Sequence, residues 1–158
     1  FEYGEERFAK QISAKIVEQR KLSPIETTFQ LVEVIKSALP GKVLRQKGHP
    51  AKQVFQAIRI EVNDELGALK TAIDQALSML NKNGRCAIIT FHSLEDRIVK
   101  NMFKDACNVN DNVKGLASLK DNEQEFELVN RKPIISNEQE LEANNRAQSA
   151  KLRIIEKL

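Results

Sequence analysis

The chain has 158 residues, 41% hydrophobic and 30% charged, which is typical of a folded domain rather than a disordered chain. No apolar run approaches the roughly 20 residues of a membrane helix, which excludes a transmembrane protein. Two cysteines, Cys86 and Cys107, are too few for a disulfide scaffold, so we expect a reducing, cytoplasmic compartment. The net charge of +3 is too small to indicate a nucleic-acid binder by itself.

Two features of the sequence limit the functions open to it. It begins at Phe1, without an initiator methionine or an apolar signal segment, so we expect a piece of a longer protein. The six glycines, at positions 4, 41, 48, 67, 84 and 115, include no close pair. Phosphate and dinucleotide loops need closely spaced glycines so that backbone amides can approach the ligand, and this chain has no such loop.

The first third of the chain has the apolar spacing of helices. A helix is predicted between Glu5 and Arg20, and Ser23-Pro24 interrupts the pattern. Thr27 and Gln30 form a capping box that opens a second helix, which ends at Pro40-Gly41.

A second helical pattern runs from His49-Pro50 to the stop signal Asn83-Gly84, after a loop. At about 30 residues it is longer than the roughly 8–20 of an ordinary globular helix. We therefore expect a bend or break near Asn63-Asp64.

A short apolar strand is predicted next, over Arg85–Phe91, buried on both faces. Ser93 and Asp96 have the spacing of a capping pair for the helix that follows. The order helix, strand, helix favours a parallel α/β sheet.

The rest of the chain offers fewer elements. Asp105–Glu127 holds six acids against two lysines and is predicted to be a solvated loop. Phe126–Lys132 and Lys151–Leu158 are strand candidates, and Ser136 with Gln139 caps a short helix or turn between them. Three strands are fewer than the usual 4–6 or so, which indicates that half of the sheet is missing.

The strongest local cluster of chemical groups directly follows the predicted strand. Ligands bind at the carboxyl ends of strands in open α/β sheets, so these residues are a candidate site. The alternative is a helix cap with solvated charges. Neighbouring strand residues point to opposite faces, which disfavours a Ser-His nucleophile pair. The two histidines and two cysteines have no metal-ligand spacing, so no metal site is predicted. The cluster consists of His92, Ser93, Glu95, Asp96 and Arg97.

A second candidate is a basic stretch. Residues 41–60 contain five lysines and arginines and no acid, so we expect five uncompensated cations in these twenty residues. Such a segment suits contact with RNA phosphates, whereas the alternative is a solvated helix face. The basic residues are Lys42, Arg45, Lys47, Lys52 and Arg59, with His49 among them.

Seven motifs follow one another along the chain: Tyr3–Ala9, Pro24–Thr28, His49–Ala51, Phe55–Ile60, Val62–Leu66, Phe91–Arg97 and Ser149–Arg153. Taken together, they resemble one family, the bacterial S-adenosylmethionine-dependent methyltransferases that modify the exocyclic amine of a cytosine in 16S ribosomal RNA. The resemblance runs nearly from end to end and weakens only across the acidic loop. Seven motifs in order are more specific than any one of them alone.

The resemblance implies a class I, Rossmann-like methyltransferase sheet interrupted by a helical domain. Residues 1–62 would be part of the helical substrate-recognition insert, and residues 63–158 the C-terminal half of the catalytic domain. The first strand would then be the fifth of the parallel sheet, and the last two its antiparallel terminal pair. The family's cofactor-binding glycine loop lies upstream of the matched region. The resemblance thus implies S-adenosylmethionine as the cofactor of the parent protein, and no cofactor-binding residue is expected in this chain.

Their place at the sheet edge and their charge suggest roles for the two candidate clusters. His92, Ser93, Glu95, Asp96 and Arg97 would be catalytic; Arg45, Lys47, His49, Lys52, Arg59 and Asn63 would bind RNA. We expect His92 or Glu95 to accept a hydrogen bond from the target amine or to order the substrate base, since neither has a structural duty readable from the sequence. Asp96 and Arg97 would hold the turn.

The expected partner is 16S rRNA in the small ribosomal subunit, with no membrane. The isolated chain is expected to be inactive and to self-associate through its exposed half-sheet. Two alternatives stay open: an RNA-binding helical module without catalytic activity, and a purely structural helical adaptor.

Overall fold

The computed structural model describes residues 1–107 and 124–158, which form two compact units. The helical unit is Phe1–Glu65 and the sheet unit is Leu66–Leu158. The division falls three residues after the predicted boundary at residues 62 and 63. The assignment of the two parts to an insert and a catalytic half stays a prediction.

The helical unit contains α1 (Ala9–Leu22), α2 (Thr28–Ala38), the short α3 (Gly41–Leu44) and α4 (Lys52–Asn63). The capping box of α2 is confirmed: Thr27 accepts from the Gln30 amide at 3.2 Å, and the Gln30 side chain accepts from the Thr27 amide at 3.0 Å. The core of the unit consists of Ile12, Ile35, Leu39, Ala51 and Val54.

The first helix starts four residues later than predicted, at Ala9 rather than Glu5. Glu5 has a left-handed backbone with φ of 51°, which a helix cannot continue through. Gly4 packs against α4 so closely that a Cβ there would lie 2.5 Å from the Gln53 carbonyl oxygen. The segment before α1 is therefore a turn that packs closely against α4.

The predicted break in the long helical pattern is confirmed at Asp64. Its φ of 48° and ψ of 42° are left-handed, so α4 ends at Asn63 and α5 (Glu65–Met79) begins a new helix. After α5 the chain turns through Asn83, also left-handed with φ of 63°, into the sheet.

The sheet unit has four described strands: β1 (Arg85–Thr90), β2 (Phe126–Leu128), β3 (Ile134–Ile135) and β4 (Lys151–Lys157). β4 is central, with β1 on one side and β2 and β3 on the other. The two-residue β3 was not predicted. The mixed α/β class is confirmed, but each described strand pair is antiparallel, so the predicted parallel pairing is not among them.

The prediction that β1 is buried on both faces is wrong for the described residues. Cys86 and Ile88 are half-buried, whereas Ala87 and Ile89 point the other way and are exposed, Ile89 to 57%. The cause is that α5 and α6 (Ser93–Cys107) pack on the same core, so one face of β1 is covered. Cys86 packs against this core, and burial raises the pKa of its thiol.

The helix α7 (Glu138–Ala143) is present between β3 and β4, but its cap lies one residue later than predicted. Asn137 accepts from the Glu140 amide at 2.8 Å. The Ser136 hydroxyl instead donates to the Ala147 carbonyl at 3.1 Å, in the 3-10 turn Asn145–Ser149.

Most of the predicted acidic loop, residues 108–123, lies outside the described residues. Its two ends belong to α6 and β2. Among the helices of the described part of the chain, none is long and apolar enough to cross a membrane.

Candidate functional site

The N-terminus of α6 follows β1 after a sharp turn, and two side chains close that turn. One oxygen of Glu95, Oε2, accepts from the Phe91 amide at 2.8 Å and from the His92 amide at 3.3 Å. His92 Nδ1 accepts from the Glu95 amide at 3.4 Å. His92 and Glu95 therefore cap the helix reciprocally, as the members of a capping box do.

This arrangement corrects two expectations. The Asp96 carboxylate is bonded to β4, so the predicted Ser93 and Asp96 capping pair is replaced by one that starts a residue earlier. The expectation that His92 and Glu95 have no structural duty is also wrong, because both hold the start of α6. Ser93 and Arg97 are exposed on its first turns.

The hydrogen bond at Nδ1 decides what His92 can offer a ligand. A neutral imidazole whose Nδ1 accepts a hydrogen bond carries its proton on Nε2. Nε2 is buried and has no hydrogen-bond partner among the described residues, since Glu95 Oε1, 3.3 Å away, is not in hydrogen-bonding geometry. Neutral His92 therefore has no vacant acceptor, and Glu95 is the better candidate to receive an amine hydrogen.

The Asp96 carboxylate anchors α6 to the central strand. Arg153 donates to both its oxygens, at 2.8 and 3.3 Å, and Lys151 donates at 3.2 Å. Asp96 and Arg153 are each only 9% exposed, which is low for charged residues. The hydrogen bond from Arg153, supported by Lys151, lowers the pKa of Asp96, although burial acts in the opposite direction.

This ion cluster joins two motifs that lie far apart in the sequence. Asp96 lies in Phe91–Arg97, whereas Lys151 and Arg153 lie in Ser149–Arg153. Neither cation was a predicted site residue. No local spacing links residues 55 and 57 positions apart, so only the opposite charges of the two motifs could have suggested the contact.

The helical unit contains a groove of about 690 Å³, which we call the N-terminal groove. It lies between the turn before α1 and the start of α4, and it brings together two more of the motifs. Three of the predicted RNA-binding residues line it: Lys47, His49 and Lys52. Its other charged lining residues are Glu5, Glu6 and Arg7, none of which was predicted as a site residue.

The remaining predicted RNA-binding residues are not in the lining. Arg59 pairs with Glu65 through two hydrogen bonds of 2.7 and 2.9 Å, so the expectation of an uncompensated cation is wrong at this position. Asn63 also donates to Glu65, at 3.3 Å. Arg45 is exposed at the end of α3. The groove therefore collects half of the predicted set.

Among residues 1–107 and 124–158, no three His, Cys, Asp or Glu side chains are grouped so as to hold a metal ion.

The mixed α/β fold, with helices on a small antiparallel sheet and polar groups at the end of β1, is compatible with part of a class I methyltransferase. The chain belongs to the MraW methylase family, which matches residues 1–158. It is also similar to a protein of Streptococcus mutans serotype c named "Ribosomal RNA small subunit methyltransferase H", at 59% identity over 159 residues. That match covers 100% of this chain and 50% of the relative, so the chain spans about half the length of the curated relative it matches.

The buried pair gives a pH-dependent prediction. Because the pKa of Asp96 is lowered in the fold, its stabilising effect is present above its unfolded pKa and is lost as pH falls through the folded value. Asp96→Asn should reduce the free energy of unfolding by about 2–3 kcal/mol at neutral pH. The difference in unfolding free energy between this variant and the parent should become smaller in acid. Chemical denaturation at several pH values would measure it.

The control is Asp74→Asn, which changes an exposed carboxylate on α5 of the same unit. It should alter stability little at any pH. Equal pH profiles for the two variants would contradict the assigned role of Asp96.

Proposed function

We propose that this chain is part of an S-adenosylmethionine-dependent methyltransferase that methylates the exocyclic amine of a cytosine in 16S ribosomal RNA. The observation that carries the proposal is the 59% identity, over the whole chain, to a protein named for methylation of small-subunit ribosomal RNA. Such a protein would act in the cytoplasm, on the small ribosomal subunit.

The residues described here do not form a site for the cofactor. The six glycines are too far apart for a loop whose backbone amides approach a ligand. The cavity beside α6 is lined by Lys100, Lys104, Arg131 and Arg153, and these cations would repel the positive sulfonium of S-adenosylmethionine. We therefore expect this chain alone to be inactive.

Within the proposed reaction, the α6 cap would position the target base. The cytosine amine is a poor nucleophile because its lone pair is delocalised into the ring, so an acceptor that draws its hydrogens would help. Glu95 lies in the first turn of α6, close after β1, and its carboxylate is held by two backbone amides, which orient it. We propose that Glu95 accepts from the amine, and that His92, Ser93, Asp96 and Arg97 maintain this geometry or contact the base. Positioning supplies much of the rate in such a transfer.

A methyl-transfer assay distinguishes the proposed enzyme from an RNA-binding module or a structural adaptor. The chain alone should not methylate small ribosomal subunits that lack the modification. The chain joined to the half of the Streptococcus mutans relative that it does not match should do so. In that joined protein Glu95→Gln should lower the rate at least tenfold or so, the effect of losing a well-placed catalytic group.

The matched control is Glu142→Gln, the same substitution at an exposed residue of α7, which should leave the rate unchanged. Glu95→Gln keeps a side-chain acceptor at the helix cap, so both variants should melt close to the parent temperature. An unchanged rate for Glu95→Gln would reduce the motif to a helix cap and remove the proposed acceptor.

The helical unit would contact RNA phosphates through its basic residues. Lys42, Arg45, Lys47 and Lys52 are exposed, and none forms an ion pair within the described part of the chain. The N-terminal groove itself has a mixed charge, with Glu5 and Glu6 beside its cations. An RNA-binding module without catalytic activity is the second candidate function, and these exposed cations favour it.

Replacing Arg45, Lys47 and Lys52 together with Gln should weaken binding of the chain to small-subunit rRNA. Each lost phosphate contact should reduce the slope of log K against log salt by about 0.7–0.9. A control triple variant with Lys10, Lys21 and Arg20 changed to Gln removes the same charge from exposed or half-exposed positions on α1. The same slope in both variants would show that the predicted patch is only a solvated surface.

We also propose that the isolated chain self-associates through its sheet. Ile89, Ile134 and Ile135 are at least half exposed, and β1 pairs with β4 on one side only among the described strands. Unpaired strand edges and exposed apolar residues favour pairing with a second copy.

Sedimentation should show a mass that rises with concentration, and Ile89→Lys should suppress the increase. Met79→Lys is the control, because it adds the same charge at an apolar residue 80% exposed on α5. A monomer at every concentration would refute the proposed association.

A further inference from the structure

A second cavity, of about 320 Å³, lies in the sheet unit between α6 and the strands β2 and β4. We call it the cationic pocket. Two lysines of α6, Lys100 and Lys104, line this pocket together with Arg131 of the β2–β3 loop. Arg153 of β4 and the half-buried Leu128 also line the pocket. This pocket was not among the predicted sites.

Its charge is of one sign. The titratable side chains that line the pocket are all cations, and among the described residues no carboxylate is part of the lining. Lys100 and Lys104 are four residues apart, a spacing at which like charges on a helix repel. The N-terminal groove, by contrast, has both carboxylates and cations in its lining. A wholly positive pocket is suited to an anion.

The cations of the pocket are mostly not engaged in holding the fold. Within the described residues, Lys100, Lys104 and Arg131 form no ion pair; Arg153 differs, because Asp96 binds it. The β2–β3 loop is fixed by Asn130, which accepts from the Ile154 amide at 2.8 Å and donates to the Lys132 carbonyl at 2.7 Å. The loop that carries Arg131 is thus anchored by amide and backbone contacts rather than by charge.

We propose that the cationic pocket binds a phosphate group of the RNA backbone. The inference rests on the proposed function, which supplies the RNA. Lysine and arginine together are the usual partners of phosphate oxygens. Leu128 adds an apolar surface beside the cations, which suits the sugar next to a backbone phosphate better than a bare ion.

The test compares two double variants of the 158-residue chain in RNA binding. Lys100→Gln with Lys104→Gln removes two pocket charges, and Lys70→Gln with Lys82→Gln removes two exposed charges elsewhere in the same unit. Binding to a small-subunit rRNA transcript is measured over a range of salt concentrations. The pocket variant should reduce the slope of log K against log salt by about 0.7–0.9, which is one phosphate contact. The control should leave the slope unchanged.

The pocket variant should also fold at least as well as the parent, because it removes a repulsion between neighbours on a helix. Its melting temperature therefore separates lost binding from lost structure. Inorganic phosphate and adenosine monophosphate form the second arm of the test, with the lysine signals of the pocket followed by NMR. We expect RNA to shift these signals at concentrations where neither small anion does.

Two results would overturn the inference. Equal slopes for the pocket variant and its control would do so, while a reduced slope for Arg45, Lys47 and Lys52 variants would leave the proposed function intact. Shifts of the pocket lysines by the small anions but not by RNA would make this a small-anion site instead. A chain that binds no rRNA at all would overturn this inference together with RNA binding by the helical unit.

Discussion

The ion cluster at Asp96 is the contact on which the rest of the candidate site depends. One carboxylate, 9% exposed, accepts from Arg153 and Lys151 of the central strand. It fixes the first turn of α6 against β4, and the cap formed by His92 and Glu95 lies in that same turn. Burying a charge is unfavourable unless it is paired, so the pairing and the position of the helix depend on each other. The orientation of Glu95 follows from this contact.

The cluster also explains where the sequence-based prediction of caps went wrong. Ser93 with Asp96 and His92 with Glu95 both have capping spacing, one residue apart. Asp96 is bonded to a strand residue 57 positions away, which leaves Glu95 to accept from the backbone amides. At α7 the same shift occurs, because Ser136 bonds to Ala147 and Asn137 becomes the cap. In both cases a contact with a residue distant in sequence determines which of two neighbouring side chains caps the helix.

Features decided by local physics were predictable. The capping box at Thr27 and the helix break at Asp64 need only neighbouring residues, and both are present. The exposure of two apolar residues on one face of β1, Ala87 and Ile89, was missed, since an apolar run does not show which elements will cover it. The pairing of Arg59 with Glu65 was missed because the charge count stopped at residue 60. Sequence distance also separates the two basic regions. The N-terminal groove gains the carboxylates of Glu5 and Glu6 from a distant motif, whereas the described lining of the cationic pocket contains no carboxylate.

Amide hydrogen exchange at the start of α6 tests the central claim most directly. In Arg153→Lys, which loses the two-pronged contact with Asp96, the amides of Phe91 and His92 should exchange about tenfold faster, equal to about 1.4 kcal/mol of local stability. The control Arg85→Lys alters an exposed pair with Glu156 on the same sheet and should leave both amides unchanged. Equal exchange in the two variants would contradict the account, because the cap would then hold without the buried pair.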